Sequence, residues 1–249
     1  MNELGLVLIG AVAAILGGII GAWVTYLFDL KKAANEKRKQ WTETTLEWAG
    51  NGRKKSLRRA DLRKADLRGV DLASTENDKG ADLSYAYLCK ANLSGANLTE
   101  TDLYRADLTE TVLYGADLTE ANLTRANLTK AVLFGANLTG ANLVGANLAR
   151  GELIAANLTR ACLNMADLTR ACLIEATLTG ANLVGAKLIG ADLNMANLSR
   201  ANLAAANLTG AYLDLAEYDS LTKWPEGFDP VAAGAKNVDT LPAAAEVNP

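Results

Sequence analysis

Residues 81–100 read ADLSY AYLCK ANLSG ANLTE, and residues 101–120 continue as TDLYR ADLTE TVLYG ADLTE. From Leu83 to Leu213 a leucine stands at every fifth position, 27 in succession, and the residue two before it is almost always alanine. A period of five matches neither the 3.6 of a helix nor the 2 of a strand, so such a segment closes no core alone and must stack on copies of itself. The chain is read as a solenoid. Half of its 249 residues are hydrophobic but only 6% are aromatic, which suits a narrow interior built from alanine and leucine.

Working outward, Leu57, Leu62, Leu67 and Leu72 keep the same spacing and form a first coil within residues 53–74. The phase then breaks at TENDKG, residues 75–80, whose removal restores it; a loop insertion is expected there, with a distorted coil containing those residues as the alternative. Read as A(D/N)LXX, the pattern over residues 55–220 resembles the pentapeptide-repeat family. The resemblance implies an all-β solenoid: a right-handed, four-sided β-helix with four pentapeptides per coil and the leucine and preceding alanine pointing inward. An Asn or Asp between them can hydrogen-bond the turning backbone. The β-helix proper is placed at residues 81–220. The segment LTKWPEGFDP resembles the one that ends many cyanobacterial members, so residues 221–230 are expected to cap the last coil. Trp224 and Phe228 would cover it, and Pro225 and Pro230 would stop further strand pairing. Residues 231–249 are expected to be disordered.

At the other end, residues 4–28 (LGLVLIGAVAAILGGIIGAWVTYLF) are 25 positions without a charge. As a helix they reach about 37 Å, enough to cross a hydrocarbon core of about 30 Å. Residues 1–29 are therefore read as a transmembrane helix; a cleaved signal peptide is the competing reading, disfavoured by an n-region without Lys or Arg. Lys31, Lys32, Lys37, Arg38 and Lys39 follow the span, which places the N-terminus outside and the β-helix in the cytoplasm of a single-pass protein. Plasma and thylakoid membranes both fit. Gly10, Ala14, Gly18 and Ala22 recur every four residues as a candidate helix-dimer stripe, hence a homodimer. Residues 30–52 read as a charged helical linker stopped at Gly50-Asn51-Gly52. In it Trp41 and Trp48 share a face that could lie on the membrane surface or cover the open first coil, and capping is the favoured reading because a solenoid end exposes core and strand edges.

Charge is uneven although the total is only −3. Residues 31–68 hold 13 bases against five acids, whereas residues 214–249 hold two against seven. Arg53, Lys54, Lys55, Arg58, Arg59, Arg63, Lys64 and Arg68 form a collar expected to contact anionic lipid, at about 1 kcal/mol per residue near the surface. The collar has no interleaved aromatics in sequence, so no nucleic-acid partner is expected.

Four repeats per coil bring residues 20 apart into columns. One column carries Thr99, Thr119, Thr139, Thr159, Thr179 and Ser199, a hydroxyl ladder. Another carries Val112, Tyr114, Val132, Phe134, Ile154, Cys172 and Ile174, an apolar stripe expected to bind a protein partner or a second copy. The chain has no histidine, its three cysteines fit no metal-ligand spacing, and no nucleophile is paired with a base. No enzyme activity and no cofactor are expected. The family includes quinolone-resistance proteins that imitate DNA and inhibit gyrase, a mechanism requiring a strongly anionic rod. Residues 81–213 hold 11 acids and nine bases, which disfavours it. The sequence points to a membrane-anchored interaction scaffold, with a structural spacer or self-associating membrane assembly as the alternative.

Overall fold

The computed structural model describes residues 36, 39–40, 42–45, 56–74 and 80–240. The chain divides into two units, Met1–Gln40 and Trp41–Pro249. The described residues of the first, Glu36, Lys39 and Gln40, are helical, as are residues 42–45 of the second. Among the described residues no helix is long and apolar enough to cross a membrane. The expected span lies outside them with its stripe Gly10, Ala14, Gly18 and Ala22, and so do Trp41, Trp48, Arg53, Lys54 and Lys55.

The repeats form a four-sided β-helix in which a pentapeptide with Asx before its leucine has a partner for each of its five N–H groups. In Ala121-Asn122-Leu123-Thr124-Arg125, Ala121 N–H donates to Leu118 O (3.0 Å) and closes a turn. Asn122 N–H donates to Thr101 O in the coil below (2.9 Å). Leu123 and Arg125 N–H donate to Asn142 O (2.7 Å) and Val144 O (3.0 Å) in the coil above. The fifth donor, Thr124 N–H, meets the Asn122 side-chain Oδ1 at 3.2 Å. A buried main-chain donor without a partner is costly, so the Asx residue completes the repeat. Arg125 has φ +57°, which with the Ala121-type turn bond is the signature of a type II turn. The last residue of nearly every pentapeptide shares this left-handed conformation.

Ala, Asx and Leu make the side and the next two residues the corner. The Asx residues pair in parallel at a 20-residue offset, as in Asp102↔Asn122↔Asn142. Between the first two coils the offset is 26, as in Asp66↔Asn92, the ordinary 20 plus the six inserted residues. Leu72 O accepts from Ala81 N–H at 2.9 Å, so the usual corner bond closes across the insertion. Eight coils result, about 38 Å of stacked strands at the usual inter-strand spacing. The leucines from Leu57 to Leu203 are at most 1% exposed and nearly all repeat alanines are buried. Thr101 and Thr111 replace alanine inside, and their hydroxyls donate to Leu98 O and Leu88 O, both at 2.7 Å.

Tyr218 takes the central place after Leu213 and is 8% exposed. Trp224 lies edge-on to Tyr218 (5.5 Å) and stacks on Phe228 (5.2 Å), and both Trp224 and Phe228 pack against the core. The expectation of disorder from residue 231 is corrected. β1 (Glu217–Tyr218) pairs in parallel with β2 (Lys236–Asn237), and a 3-10 turn follows at Val238–Thr240. The last coil would otherwise leave main-chain groups open. Instead Lys236 N–H donates to Ala216 O (2.7 Å) and Leu215 N–H to Gly234 O (3.0 Å). Residues 241–249 lie outside the described residues.

Candidate interaction surface

The four sides, numbered in chain order, are centred on the columns of Leu83, Leu88, Leu93 and Leu98. On the third side the middle column runs Asn92, Val112, Val132, Glu152, Cys172, Asp192. The corner beside it carries Tyr114, Phe134, Ile154 and Ile174. Tyr114 and Phe134 stack 5.5 Å apart with rings 4° from parallel. They are 56% and 40% exposed, while Val112, Val132, Ile154, Cys172 and Ile174 are half-buried. The columns thus bring the apolar residues of the stripe together over four successive coils, with Glu152 between them.

The stripe has a second property. Wherever Asx stands mid-side, it receives the N–H two residues on; Val112, Val132, Glu152 and Cys172 offer no such acceptor. The main-chain N–H groups of Tyr114, Phe134, Ile154 and Ile174 therefore have no hydrogen-bond partner among the described residues. Elsewhere such losses occupy single coils, at Tyr87, Cys162, Thr177 and Lys187. Apolar side chains alone drew attention to this column; the run of four missing Asx residues was a further signal for it.

The fourth side is the opposite case. Thr99, Thr119, Thr139 and Thr159 donate their hydroxyls to Asn97, Asp117, Asn137 and Asn157 at 2.6–2.8 Å. Over these four coils the ladder is spent internally, its hydroxyls bonded to the Asx side chains.

The described part of the collar is spread over successive corners. Arg58 and Arg59 lie over the Tyr85 ring at 5.1 and 5.7 Å. Arg105 lies 5.4 Å from the Tyr104 ring, which meets Tyr85 edge-on at 5.5 Å. The absence of interleaved aromatics in the sequence is thereby corrected in space: the tyrosines arrive from the next two coils. Arg63 is bidentate to Asp61 (2.8 and 2.7 Å), and Arg68 likewise to Asp66. The Arg68 hydrogen bond holds the Asp66 carboxyl below the usual carboxylate range, and the Asp61 hydrogen bond raises Arg63. Lys64 has no carboxylate within ion-pair distance among the described residues.

Cys162 lies in the column of Asn142 and Asn182, and Cys172 in that of Glu152 and Asp192. These are opposite sides, and Cys89, Cys162 and Cys172 are free thiols. Among the described residues no cluster of acids or cysteines has the arrangement of a metal site.

The family profile described as pentapeptide repeats matches eight copies over residues 53–75, 79–113, 112–150, 136–173, 152–188 and 181–216. The chain belongs to the pentapeptide-repeat family. A solved pentapeptide-repeat relative is HetL from the cyanobacterium Nostoc sp. strain PCC 7120, a protein involved in heterocyst differentiation regulation. It is 30% identical, with 76% of this chain and 89% of HetL covered and a TM-score of 0.54. QnrB1, a plasmid-mediated fluoroquinolone resistance protein, is similar at 18% identity over 72% of this chain and 87% of QnrB1, with a TM-score of 0.56; this likeness shows the pentapeptide-repeat fold alone. No curated protein matches the chain.

Proposed function

We propose that this pentapeptide-repeat protein is a non-enzymatic interaction scaffold, anchored in a cyanobacterial plasma or thylakoid membrane by residues 4–28 with its β-helix in the cytoplasm, and that the third side is its protein-contact surface. The observation that carries the reading is the coincidence, in the same four coils, of apolar side chains and main-chain N–H groups without acceptors. A partner laid on this side removes apolar area from water and supplies the missing acceptors, two gains that the fourth side does not offer. A pure spacer has no use for either feature. The DNA-mimic reading stays disfavoured by the near-neutral rod, and similarity to QnrB1 in fold does not restore it.

The test is mild crosslinking of the full chain in native membranes, followed by purification. Recovery of one stoichiometric partner that is lost when Tyr114, Phe134 and Ile154 are replaced together by Ser supports the scaffold. Crosslinks only to itself support the spacer. Partner recovery unchanged by the triple substitution removes the third side from the account.

A further inference from the structure

The rod is near neutral as a whole but two-sided in space. Over residues 56–218, the second side with its two bounding corners holds 11 bases and four acids; the fourth side, diametrically opposite, holds three bases and seven acids with its own corners. Each acid on the basic side is already engaged. Asp61 binds Arg63 (2.7 Å), Glu110 bridges Lys90 (3.3 Å) and Lys130 (3.8 Å), Asp167 faces Lys187 (3.7 Å), and Asp107 accepts from Thr109 (2.6 Å). Arg59, Lys64, Arg105, Arg125, Arg150 and Arg170 are exposed and have no carboxylate within ion-pair distance among the described residues. They stand in two corner columns, Arg59, Arg105 and Arg125 in one and Lys64, Arg150 and Arg170 in the other, with one side of the β-helix between them.

We infer that this second side is a docking plane for anionic phospholipid headgroups, so that the rod lies along the bilayer instead of standing away from it. The inference rests on the membrane reading for its location, while its chemistry rests on the charge columns. Three observations select lipid. The ridges begin at Arg59 and Lys64, in the collar that follows the apolar run in sequence, and continue upward, one to Arg125 in the fourth coil and the other to Arg170 in the sixth. Between them, from the third coil to the sixth, the corner and side residues that face outward are short or polar, as at Thr109, Thr129, Ala149 and Thr169, so above Tyr87 the cations border a plane without bulky side chains, suited to a flat lattice of phosphates. A single-stranded nucleic acid instead uses aromatic platforms along its path. Here Tyr85, Tyr87 and Tyr104 all lie at the lower end, where amphipathic rings suit a headgroup layer. Lying on its second side, the rod turns its third side along the membrane plane, toward partners diffusing in the same bilayer.

The test uses the full chain reconstituted into vesicles of phosphatidylcholine alone or mixed with phosphatidylglycerol. In a background with Cys89, Cys162 and Cys172 replaced by Ser, one fluorophore is attached at Ala149→Cys or at Thr159→Cys, corner positions of the same coil on opposite edges of the rod. Quenching by a headgroup-linked acceptor is then read. We expect quenching several-fold stronger at position 149 than at 159 in anionic vesicles. The difference should collapse in neutral vesicles, in about 1 M salt where the Debye length is about 3 Å, and in the Arg125→Gln, Arg150→Gln, Arg170→Gln variant, whose thermal unfolding reports that the rod is intact. Equal quenching at the two positions, or an asymmetry indifferent to phosphatidylglycerol, overturns the inference. So does an added oligonucleotide that binds through the same three arginines and abolishes the asymmetry. Retention of the chain in vesicles washed with alkaline carbonate reports separately on the anchor, so loss of the anchor and loss of the docking plane are told apart.

Discussion

The third and fourth sides have the same backbone, the same leucines and the same turns, and differ in what stands mid-side. On the fourth side Asn97, Asp117, Asn137 and Asn157 each take the corner N–H and hydroxyl two residues on. On the third, Val112, Val132, Glu152 and Cys172 leave that N–H open beside exposed rings. One side is closed upon itself except at Thr177, where the Thr179 N–H has no partner among the described residues, and the other is chemically unfinished over four coils. The difference teaches that in this solenoid the interior specifies shape, while the residue before the leucine decides whether a side is inert.

The largest effect should show no difference between the sides. Leu133→Ala on the third and Leu138→Ala on the fourth remove equivalent fully buried side chains, and each should cost about 2–5 kcal/mol in urea unfolding. Markedly unequal losses would break the claim that the interiors are equivalent. Assembly should separate the sides cleanly. Replacing Tyr114, Phe134 and Ile154 by Ser should abolish the crosslinked partner without a large change in melting temperature, whereas Thr119→Ser, Thr139→Ser and Thr159→Ser should leave crosslinking as it is.

A smaller effect tests the Asx role directly. Asn157→Ala frees the Thr159 N–H and should cost about 1 kcal/mol. Val132→Asn offers an acceptor to the Phe134 N–H and should recover a similar amount while weakening partner capture. Melting curves measured with crosslinking yields would expose an Asn that stabilises neither.

The smallest expected effect is acidic. Burial works to raise the Asp167 carboxyl on the second side, but the Thr169 hydroxyl and N–H and the Lys187 ammonium outweigh it and hold the group below its ordinary value. A carboxylate lowered on folding stabilises fully above its unfolded value, about 3.9, and loses that contribution as pH falls through the lower folded value. Unfolding midpoints should therefore drop below about pH 4, and Asp167→Asn should remove part of that drop; the fourth-side residues Asn137 and Asn157 cannot titrate and should add nothing to it.

The solenoid was legible because a five-residue period admits only stacking, and Leu57 through Leu213 lie in the interior as the period requires. The stripe from Val112 to Ile174 was legible once residues were read 20 apart. The corner conformation was partly legible: glycine recurs at the last position of the repeat, as at Gly115 and Gly135, where φ is +59° and +63°. The fold of residues 231–240 was not, because a short, proline-flanked segment of mostly small residues (VAAGAKNVDT) gains order only from the open strand edge it meets at Ala216 and Tyr218.

By itself, the sequence determined the rod, since every fifth leucine must be buried and only stacked copies of the repeat bury it. It also determined the composition of each column. Tertiary structure alone decided how the columns face one another. Stacking sends successive corners to different edges, so bases and acids interleaved along the chain separate onto opposite sides. Stacking also carries Tyr85 and Tyr104 to Arg58, Arg59 and Arg105, and leaves four N–H groups open beside the rings of Tyr114 and Phe134. Hydrogen-bond supply and charge are properties of neighbours in space, and in a solenoid those neighbours are one coil apart instead of one residue.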